Sequence, residues 1–219
     1  MEISENGIFI VDDYKIKNEL KEYLIYCNAG LKILQTELSL ISDEFNILNK
    51  YNPIDHIKFR LKTIDSIISK MNKKNIELTI EKIENNISDI VGARIVCPFL
   101  SDVFQVVSLI KKNQKLKIIE EKDYISKPKN CGYISYHLVV VVPVNLSLGY
   151  KDIKAEIQIR TLGMDFWATL EHRLSYKIST QLPDALVEKL QYYSMQIFDI
   201  DKDLGNLAKL LIDTKDSVG

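Results

Sequence analysis

The chain has few of the residues that mark secreted, membrane-bound or zinc-binding proteins. It holds three cysteines in 219 residues, and none forms a Cys-x-x-Cys pair, so neither a disulfide framework nor a zinc site is expected and all three thiols should be reduced. The longest apolar run, Leu138 to Val144, is far below the ~20 residues that a membrane-spanning helix needs. The first residues lack the basic start and apolar stretch of a secretory signal. A cytoplasmic protein without membrane association is therefore expected.

Linkers, excess charge and several familiar catalytic motifs are also missing. Eight glycines and five prolines give no linker, whereas 46% hydrophobic residues can build a sizeable core, so we expect a single domain over 1–219. A net charge of −1 argues against nucleic-acid binding by bulk charge, so any anion site must be local. The sequence contains no HExxH, GxSxG or GxxxxGK[ST] motif. Covalent catalysis and a P-loop are therefore not expected.

Hydrophobic spacing predicts two long terminal helices around a central sheet. Apolar residues recur in alternating steps of three and four, which predicts helices over about 13–50 and 184–214, with Pro53 ending the first. The core, about 53–178, is expected to be α+β, with a mixed β-sheet flanked by helices. Its patterns predict strands over 54–61, 93–99, 116–121, 138–144 and 152–160, and helices over 63–74, over 101–112 and from 161 onward. The apolar seams of the terminal helices suit packing on the chain's own sheet or on another subunit equally.

The strand over 152–160 alternates strictly between polar and apolar residues. A pleated strand places Glu156, Gln158 and Arg160 on one face. The opposite face is apolar and should pack in the core, with Ile153, Ala155, Ile157 and Ile159. The polar face is therefore the candidate for chemistry.

A cluster of basic residues lies upstream, between positions 58 and 74. Strand alternation places three of them on one face and helical spacing places three on another: Lys58, Arg60 and Lys62, then Lys70, Lys73 and Lys74. Such a cluster suits a polyphosphate, because cations spread over its oxygens and a helix N-terminus near Ser66 adds backbone donors. The alternative is a solvated charged face.

Two carboxylates and one loop complete the candidate site. Asp89 just precedes a strand and Glu156 lies within one, and Gly92 would allow close backbone approach, an arrangement suited to one Mg²⁺ that also bonds substrate phosphates. The loop before Tyr133 offers an aromatic ring with Lys129 and His137 beside it, as expected for a nucleotide acceptor. The alternative places Tyr133 in the core.

At these residues the sequence resembles the synthetase domain of the RelA/SpoT-like family, most closely its short, stand-alone small alarmone synthetases. The match runs from about Pro53 to Tyr176, and the order and spacing of its pieces make it specific. The pieces are Arg60-Leu61-Lys62, Ser66 with Lys70, Asp89-x-x-Gly92-x-Arg94, Asp123-Tyr124-Ile125, Gly132-Tyr133-x-Ser135-Tyr136-His137, Glu156-Ile157-Gln158-Ile159-Arg160-Thr161 and Asp165-Phe166-Trp167-Ala168-x-x-Glu171-His172.

The resemblance implies a nucleotidyltransferase-like fold and Mg²⁺-dependent transfer of the β,γ-pyrophosphate of ATP to the 3′-hydroxyl of GDP or GTP, giving ppGpp or pppGpp and AMP. By position, it implies that ATP is bound by Arg60, Lys62, Ser66, Lys70, Lys73 and Arg94, with the arginines flanking adenine. It implies that Asp89 and Glu156 are catalytic and bind Mg²⁺, with Glu156 polarising or deprotonating the attacking hydroxyl. The acceptor is then expected near Lys129, Tyr133, His137 and Gln158, with Tyr133 stacked on guanine.

The sequence departs from the family pattern at three positions. Ile134 stands where the family usually has Arg, so one cation near the acceptor is missing, while His56 and Lys58 replace an aromatic and a small hydroxyl residue associated with product binding in tetrameric relatives. A homo-oligomer, by resemblance a tetramer, and a purely synthetic enzyme are expected. Two alternatives stay open: transfer to the 3′ end of tRNA or to an adenine nucleotide, and a catalytically silent nucleotide- or RNA-binding module. RNA is thus considered both as regulator and as acceptor.

Overall fold

A computed structural model describes residues 14–48, 51–177 and 183–216, which form a five-stranded mixed sheet and six helices. In chain order the elements are α1 (Tyr14–Leu48), β1 (His56–Leu61), α2 (Ile64–Lys73), α3 (Ile80–Asn86), β2 (Val91–Cys97), α4 (Leu100–Lys112), β3 (Lys117–Asp123), β4 (Tyr136–Leu146), β5 (Gly149–Thr161), α5 (Leu162–Lys177) and α6 (Asp184–Asp216). The predicted α+β class is confirmed. Across the described ranges, no helix is long and apolar enough to cross a membrane.

The sheet has the strand order β1-β2-β5-β4-β3. Only the β2–β5 pair is parallel, and the other three neighbouring pairs are antiparallel. The alternation predicted for the fifth strand is confirmed, because the side chains of Ile153, Ala155, Ile157 and Ile159 are all buried. Helices α1 and α4 pack against the sheet, so one face of it is core and the other is free to carry a site.

The two long terminal helices differ in what their apolar seams contact. In α1 the seam residues Leu20, Cys27, Leu34 and Leu38 are buried against the chain's own sheet, which decides between the two packings that the spacing left open. In α6 the corresponding residues are exposed, among them Leu186, Tyr193, Ile200, Leu204 and Leu207. Helix α6 instead buries Ser194 and Phe198. Spacing alone therefore indicated a helix but not its partner.

Several predicted boundaries were wrong by a few residues, and one helix was missed. Strand β2 begins at Val91, two residues before the predicted start, and β4 extends beyond the predicted 138–144 at both ends. The chain is no longer helical at Tyr51, before Pro53, while residues 49 and 50 and the predicted cap at 12–13 lie outside the described ranges. The missed helix, α3, has seven residues and one fully buried side chain, Ile83, so it shows no helical period in the sequence.

Candidate active site

The exposed face of the sheet carries two parallel rows of side chains that cross the strands. The first row runs from Lys58 through Arg94, Gln158 and His137 to Lys122, and the second from Arg60 through Gly92, Glu156 and Val139 to Glu120. A cleft of about 750 Å³ opens over these rows. Its basic lining side chains are Arg60, Lys70, Lys74, Arg94, Lys122, Lys129, Lys154, Arg160 and Arg173, against four glutamates. The site is therefore locally cationic in a chain of net charge −1.

Asp89 lies two residues before β2 and collects three of the predicted phosphate-binding cations. Its carboxylate accepts hydrogen bonds from Nζ of Lys62 and of Lys70, each at 2.8 Å, and Nη2 of Arg60 lies 3.4 Å away. Burial opposes ionisation of Asp89, but the hydrogen bonds and charges of Lys62 and Lys70 outweigh it and lower its pKa to about 2. These cations thus converge on one carboxylate rather than forming a merely solvated face.

Glu156 lies in β5 directly opposite Gly92 of β2 and Val139 of β4. Its Oε1 accepts a hydrogen bond from Nε2 of Gln158 at 2.7 Å, and its Oε2 lies 3.6 Å from Nδ1 of His137. Burial again opposes ionisation, and His137 and Gln158 outweigh it, so that the pKa falls to about 2. Asp89 acts on Glu156 in the opposite direction, through its charge. Both carboxylates are ionised at neutral pH, as metal ligands must be.

Arg60 and Arg94 border a cavity of about 130 Å³, and Glu156 and Gln158 also line it. A side chain at Gly92 would place its Cβ 3.2 Å from Cγ and 3.3 Å from Nε of Arg60. Gly92 therefore lets the side chain of Arg60 lie across β2. The two guanidinium groups are the expected borders of an adenine base.

The predicted acceptor residues lie together at the other end of the rows. Tyr133 is half-buried and lines the cleft, so the alternative that places it in the core is wrong. Its ring centroid lies 5.0 Å from Nζ of Lys129, and its hydroxyl is 2.8 Å from Nε2 of His137. Ile134, by contrast, is buried in the core, 3% exposed. The cluster offers an aromatic surface flanked by cations.

The remaining predicted ATP ligands lie in α2. Thr63 caps this helix and accepts a hydrogen bond from the backbone N–H of Ser66. Lys73 is exposed and does not line the cleft, whereas Lys74, one position on, does and donates to the carbonyl of Asn86. Across the described ranges, no group of three or more His, Cys, Asp or Glu side chains converges to hold a metal. Two carboxylates are nevertheless the usual protein share of a Mg²⁺ site that also uses substrate phosphates.

Lys122, Tyr124 and Arg160 are among the cleft residues that received no role from sequence reasoning. Lys122 and Tyr124 follow the predicted end of the third strand, and the ring of Tyr124 lies 5.2 Å from that of His137. Arg160 was placed on the polar face of β5 but given no task. Its guanidinium donates to Tyr133, to Gln158 at 2.9 Å and to Asp165 at 3.2 Å. Continuing the alternation of each strand by two residues would have found Lys122.

Helix α6 holds the predicted acceptor loop in place. Gly132 has a φ of +88°, its carbonyl accepts a hydrogen bond from the hydroxyl of Ser194, and the indole N–H of Trp167 in α5 donates to the carbonyl of Leu190. A Cβ at Gly132 would lie 2.9 Å from Cα of Gln191 and 3.0 Å from Cβ of Ser194. The loop that ends at Tyr133 therefore has a glycine for both conformational and steric reasons.

We expect Gly132→Ala to weaken acceptor binding specifically. The substitution forces the loop away from α6, and it should destabilise the fold by about 1–3 kcal/mol and raise the KM for the acceptor several-fold while leaving that for ATP nearly unchanged. Steady-state kinetics and thermal unfolding measure both effects. Gly149→Ala is the matched control, because φ there is +120° but the nearest neighbour of a Cβ is 3.8 Å away, at the turn between β4 and β5. An equal rise in the acceptor KM for both variants would contradict the expectation.

The chain is similar in sequence and in fold to proteins of one known family. Residues 59–181 match the family described as a region found in RelA / SpoT proteins. The chain is 42% identical over 182 residues to GTP pyrophosphokinase YwaC of Bacillus subtilis, covering 83% of this chain and 87% of the relative, and 34% identical over 187 residues to GTP pyrophosphokinase YjbM of the same organism, covering 85% and 87%. Its fold matches the crystal structure of small alarmone synthetase 1 from Bacillus subtilis bound to its product pppGpp, with a TM-score of 0.81 and 33% identity over 87% of this chain and 97% of that chain. The chain belongs to the RelA/SpoT synthetase family.

Proposed function

We propose that this chain is a GTP pyrophosphokinase that transfers the β,γ-pyrophosphate of ATP to the 3′-hydroxyl of GDP or GTP, forming ppGpp or pppGpp and releasing AMP. One observation carries the proposal. The carboxylates of Asp89 and Glu156 are ionised and close enough for the charge of Asp89 to act on Glu156, and Glu156 lines both the cavity bordered by Arg60 and Arg94 and the cleft that Tyr133 lines. A donor nucleotide on one side and an acceptor on the other would therefore meet at the carboxylates.

The protein's part in this reaction is binding and orientation. The acceptor 3′-oxygen attacks the β-phosphorus, the bond from that phosphorus to the oxygen of the α-phosphate breaks, and AMP leaves with that oxygen. In-line placement and neutralisation of the phosphate charge account for most of the catalysis in such transfers. Lys62 and Lys70 supply the cationic surface for the transferred group, and Ser66 lies at a helix N-terminus beside them.

Asp89 and Glu156 fit a Mg²⁺ ion by the chemistry of their donor atoms, since both are ionised and offer hard oxygen ligands. A bound Mg²⁺ would neutralise phosphate charge and fix the geometry of the donor. The pKa of Glu156 is lowered, so its carboxylate is ionised at neutral pH and can accept a hydrogen bond from the 3′-hydroxyl, which it would polarise or deprotonate as that oxygen attacks.

The acceptor is expected to be a guanine nucleotide despite the missing arginine at position 134. Ile134 points into the core, while Lys129 and Arg160 each lie 5.0 Å from the ring of Tyr133. Two cations therefore remain beside the stacking surface. Lys129, His137 and Gln158 are the proposed acceptor contacts, and Lys129 is the exposed one that can adjust to the acceptor's phosphates.

The proposed enzyme is cytoplasmic, where its nucleotides are found, and homo-oligomeric, by resemblance a tetramer. An apolar groove of about 520 Å³ lies between α5 and α6, and exposed Phe166, Leu170 and Tyr193 line it, which supports self-association. Size-exclusion chromatography with light scattering would measure the oligomer.

Incubation of the purified protein with Mg²⁺, radiolabelled ATP and, in turn, GMP, GDP, GTP, ATP and tRNA tests the function. We expect labelled ppGpp and pppGpp with GDP and GTP, in amounts equal to the AMP released, and no product when EDTA removes the metal. Product on tRNA or on an adenine nucleotide alone would move the chain to the other acceptor class. Nucleotide binding without any AMP release would identify a silent binding module and overturn the proposal.

A further inference from the structure

One carboxylate joins the two halves of the site. Asp165 lies in the first turn of α5, and its Oδ1 is 3.1 Å from Nη1 of Arg94 and 3.2 Å from Nη1 of Arg160. Arg94 borders the proposed ATP cavity, and Arg160 donates to Tyr133 and Gln158 in the proposed acceptor site. Oδ1 of Asp165 is thus paired with one guanidinium group from each of the two proposed nucleotide sites.

The position of Asp165 suits a residue that connects the two arginines and does not itself contact a nucleotide. Its side chain is 13% exposed and is absent from the lining of the cleft, whereas both arginines line it. The side chain of Arg160 is only 4% exposed, and a guanidinium buried to that extent needs a counter-charge. Arg94 and Arg160 are close enough for each charge to act on the other, so removal of the carboxylate would leave two neighbouring cations to repel each other.

The supporting shell holds Asp165 firmly. An anion in the first turn of a helix is stabilised by the helix dipole, and the hydroxyl of Thr161, immediately before α5, accepts a hydrogen bond from the backbone N–H of Met164. That same hydroxyl donates to Asp201 of α6. Because the carboxylate of Asp165 is held in place, a change in the position of Arg94 alters the ion pair of Arg160 with the same carboxylate, and the reverse also holds.

We propose that Asp165 is a positioning residue that couples the donor and acceptor sites, so that binding of one nucleotide orders the guanidinium that serves the other. The inference rests on the proposed function, which assigns Arg94 to ATP and Tyr133 to the acceptor. By linkage, the coupling is reciprocal: the donor nucleotide raises the affinity for the acceptor by the same factor by which the acceptor raises the affinity for the donor.

Calorimetric titration measures this factor without turnover. The probe is an ATP analogue with a methylene group between its α- and β-phosphorus atoms, titrated with Mg²⁺ in the absence and presence of saturating GDP. We expect GDP to tighten analogue binding by about fivefold or more in the wild type, within the usual range of coupling. Asp165→Asn keeps the size of the side chain and one oxygen that can accept a hydrogen bond, but it loses the charge. In this variant we expect the ratio of analogue affinities with and without GDP to fall close to one.

Asp199→Asn is the control, because it makes the same change of charge at an exposed aspartate of α6 that does not line the cleft and lies outside the Thr161–Asp201 contact. We expect it to keep the wild-type ratio. If Asp165→Asn does not fold, Arg94→Lys tests the same link from the donor side. Lysine keeps the positive charge but lacks the planar guanidinium group of arginine, so we expect this variant to bind GDP more weakly although residue 94 belongs to the proposed ATP site. Arg94→Lys with unchanged GDP affinity would then overturn the proposal.

Each other outcome is also decisive. An unchanged ratio in Asp165→Asn, with or without a lower unfolding temperature, would reduce Asp165 to a structural residue. Weaker GDP binding with an unchanged ratio would make it a direct acceptor contact. A wild type that binds both nucleotides independently would refute the coupling alone, whereas a wild type that binds no GDP would refute the proposed function itself.

Discussion

Glu156→Gln is expected to leave a folded protein that makes almost no product. The substitution keeps the side-chain length and an oxygen that can accept the hydrogen bond from Gln158, so packing in β5 should be unaffected. It removes the negative charge that would share the metal with Asp89 and polarise the acceptor hydroxyl. Loss of such preorganised charge lowers kcat by about 10²–10³-fold, and loss of metal affinity adds to it, so we expect a fall of at least about 10³-fold in AMP release.

The measurement is initial-rate formation of AMP and of the alarmone at saturating nucleotide, together with thermal unfolding. Asp152→Asn is the matched control, because it neutralises a carboxylate on the same face of the same strand, and that carboxylate contacts Tyr150 at the exposed end of the strand rather than the cleft. It should keep activity within about twofold, the ordinary effect of a surface substitution. Glu156→Gln with synthesis within tenfold of wild type would refute the role assigned to Glu156.

The site was predictable from the sequence where its geometry follows from a repeating backbone. Strand alternation placed Glu156, Gln158 and Arg160 on one face, and the hydrogen-bonded register carries that face to Arg94 and His137 on the neighbouring strands. Family motifs supplied the identity of the residues in each half. What alternation could not give was the pairing of β3, because a register shift between Ile118 and Glu120 decides that Lys122 lies opposite His137.

Features that depend on the angle between two elements were not predictable. Asp165 was part of a recognised motif, but its contact with Arg94 and Arg160 exists only because α5 starts beside the ends of β2 and β5. The apolar seams of α1 and α6 have the same spacing, yet one is buried and the other exposed. Periodicity records which side chains share a face, whereas burial depends on what the rest of the chain places against that face.

Asp89→Asn is expected to reduce kcat/KM by at least about 10²-fold and to lower stability at neutral pH, because it removes the carboxylate on which three cations converge. Lys62 and Lys70 would lose a charged acceptor at 2.8 Å, and Arg60 a neighbour at 3.4 Å. The pKa of Asp89 is lowered from its ordinary 3.8 to about 2, so its ionised form stabilises the fold fully above pH 3.8 and loses that contribution as the pH falls through 2. The stability difference between wild type and variant should therefore be constant from pH 5 to 7 and shrink below about pH 4.

Urea unfolding of both proteins across this range measures that difference, and AMP release at varied Mg²⁺ measures the catalytic part. Asp65→Asn is the matched control, since it removes an exposed carboxylate from the first turn of α2, within the same basic segment, and should change neither kcat/KM nor its Mg²⁺ dependence by more than about twofold. A raised Mg²⁺ requirement in Asp89→Asn alone would separate metal binding from the general balance of charge around Lys62 and Lys70. Equal losses in the two variants would show that activity depends on the total negative charge near these lysines, and the assignment of Asp89 as a metal ligand would then be wrong.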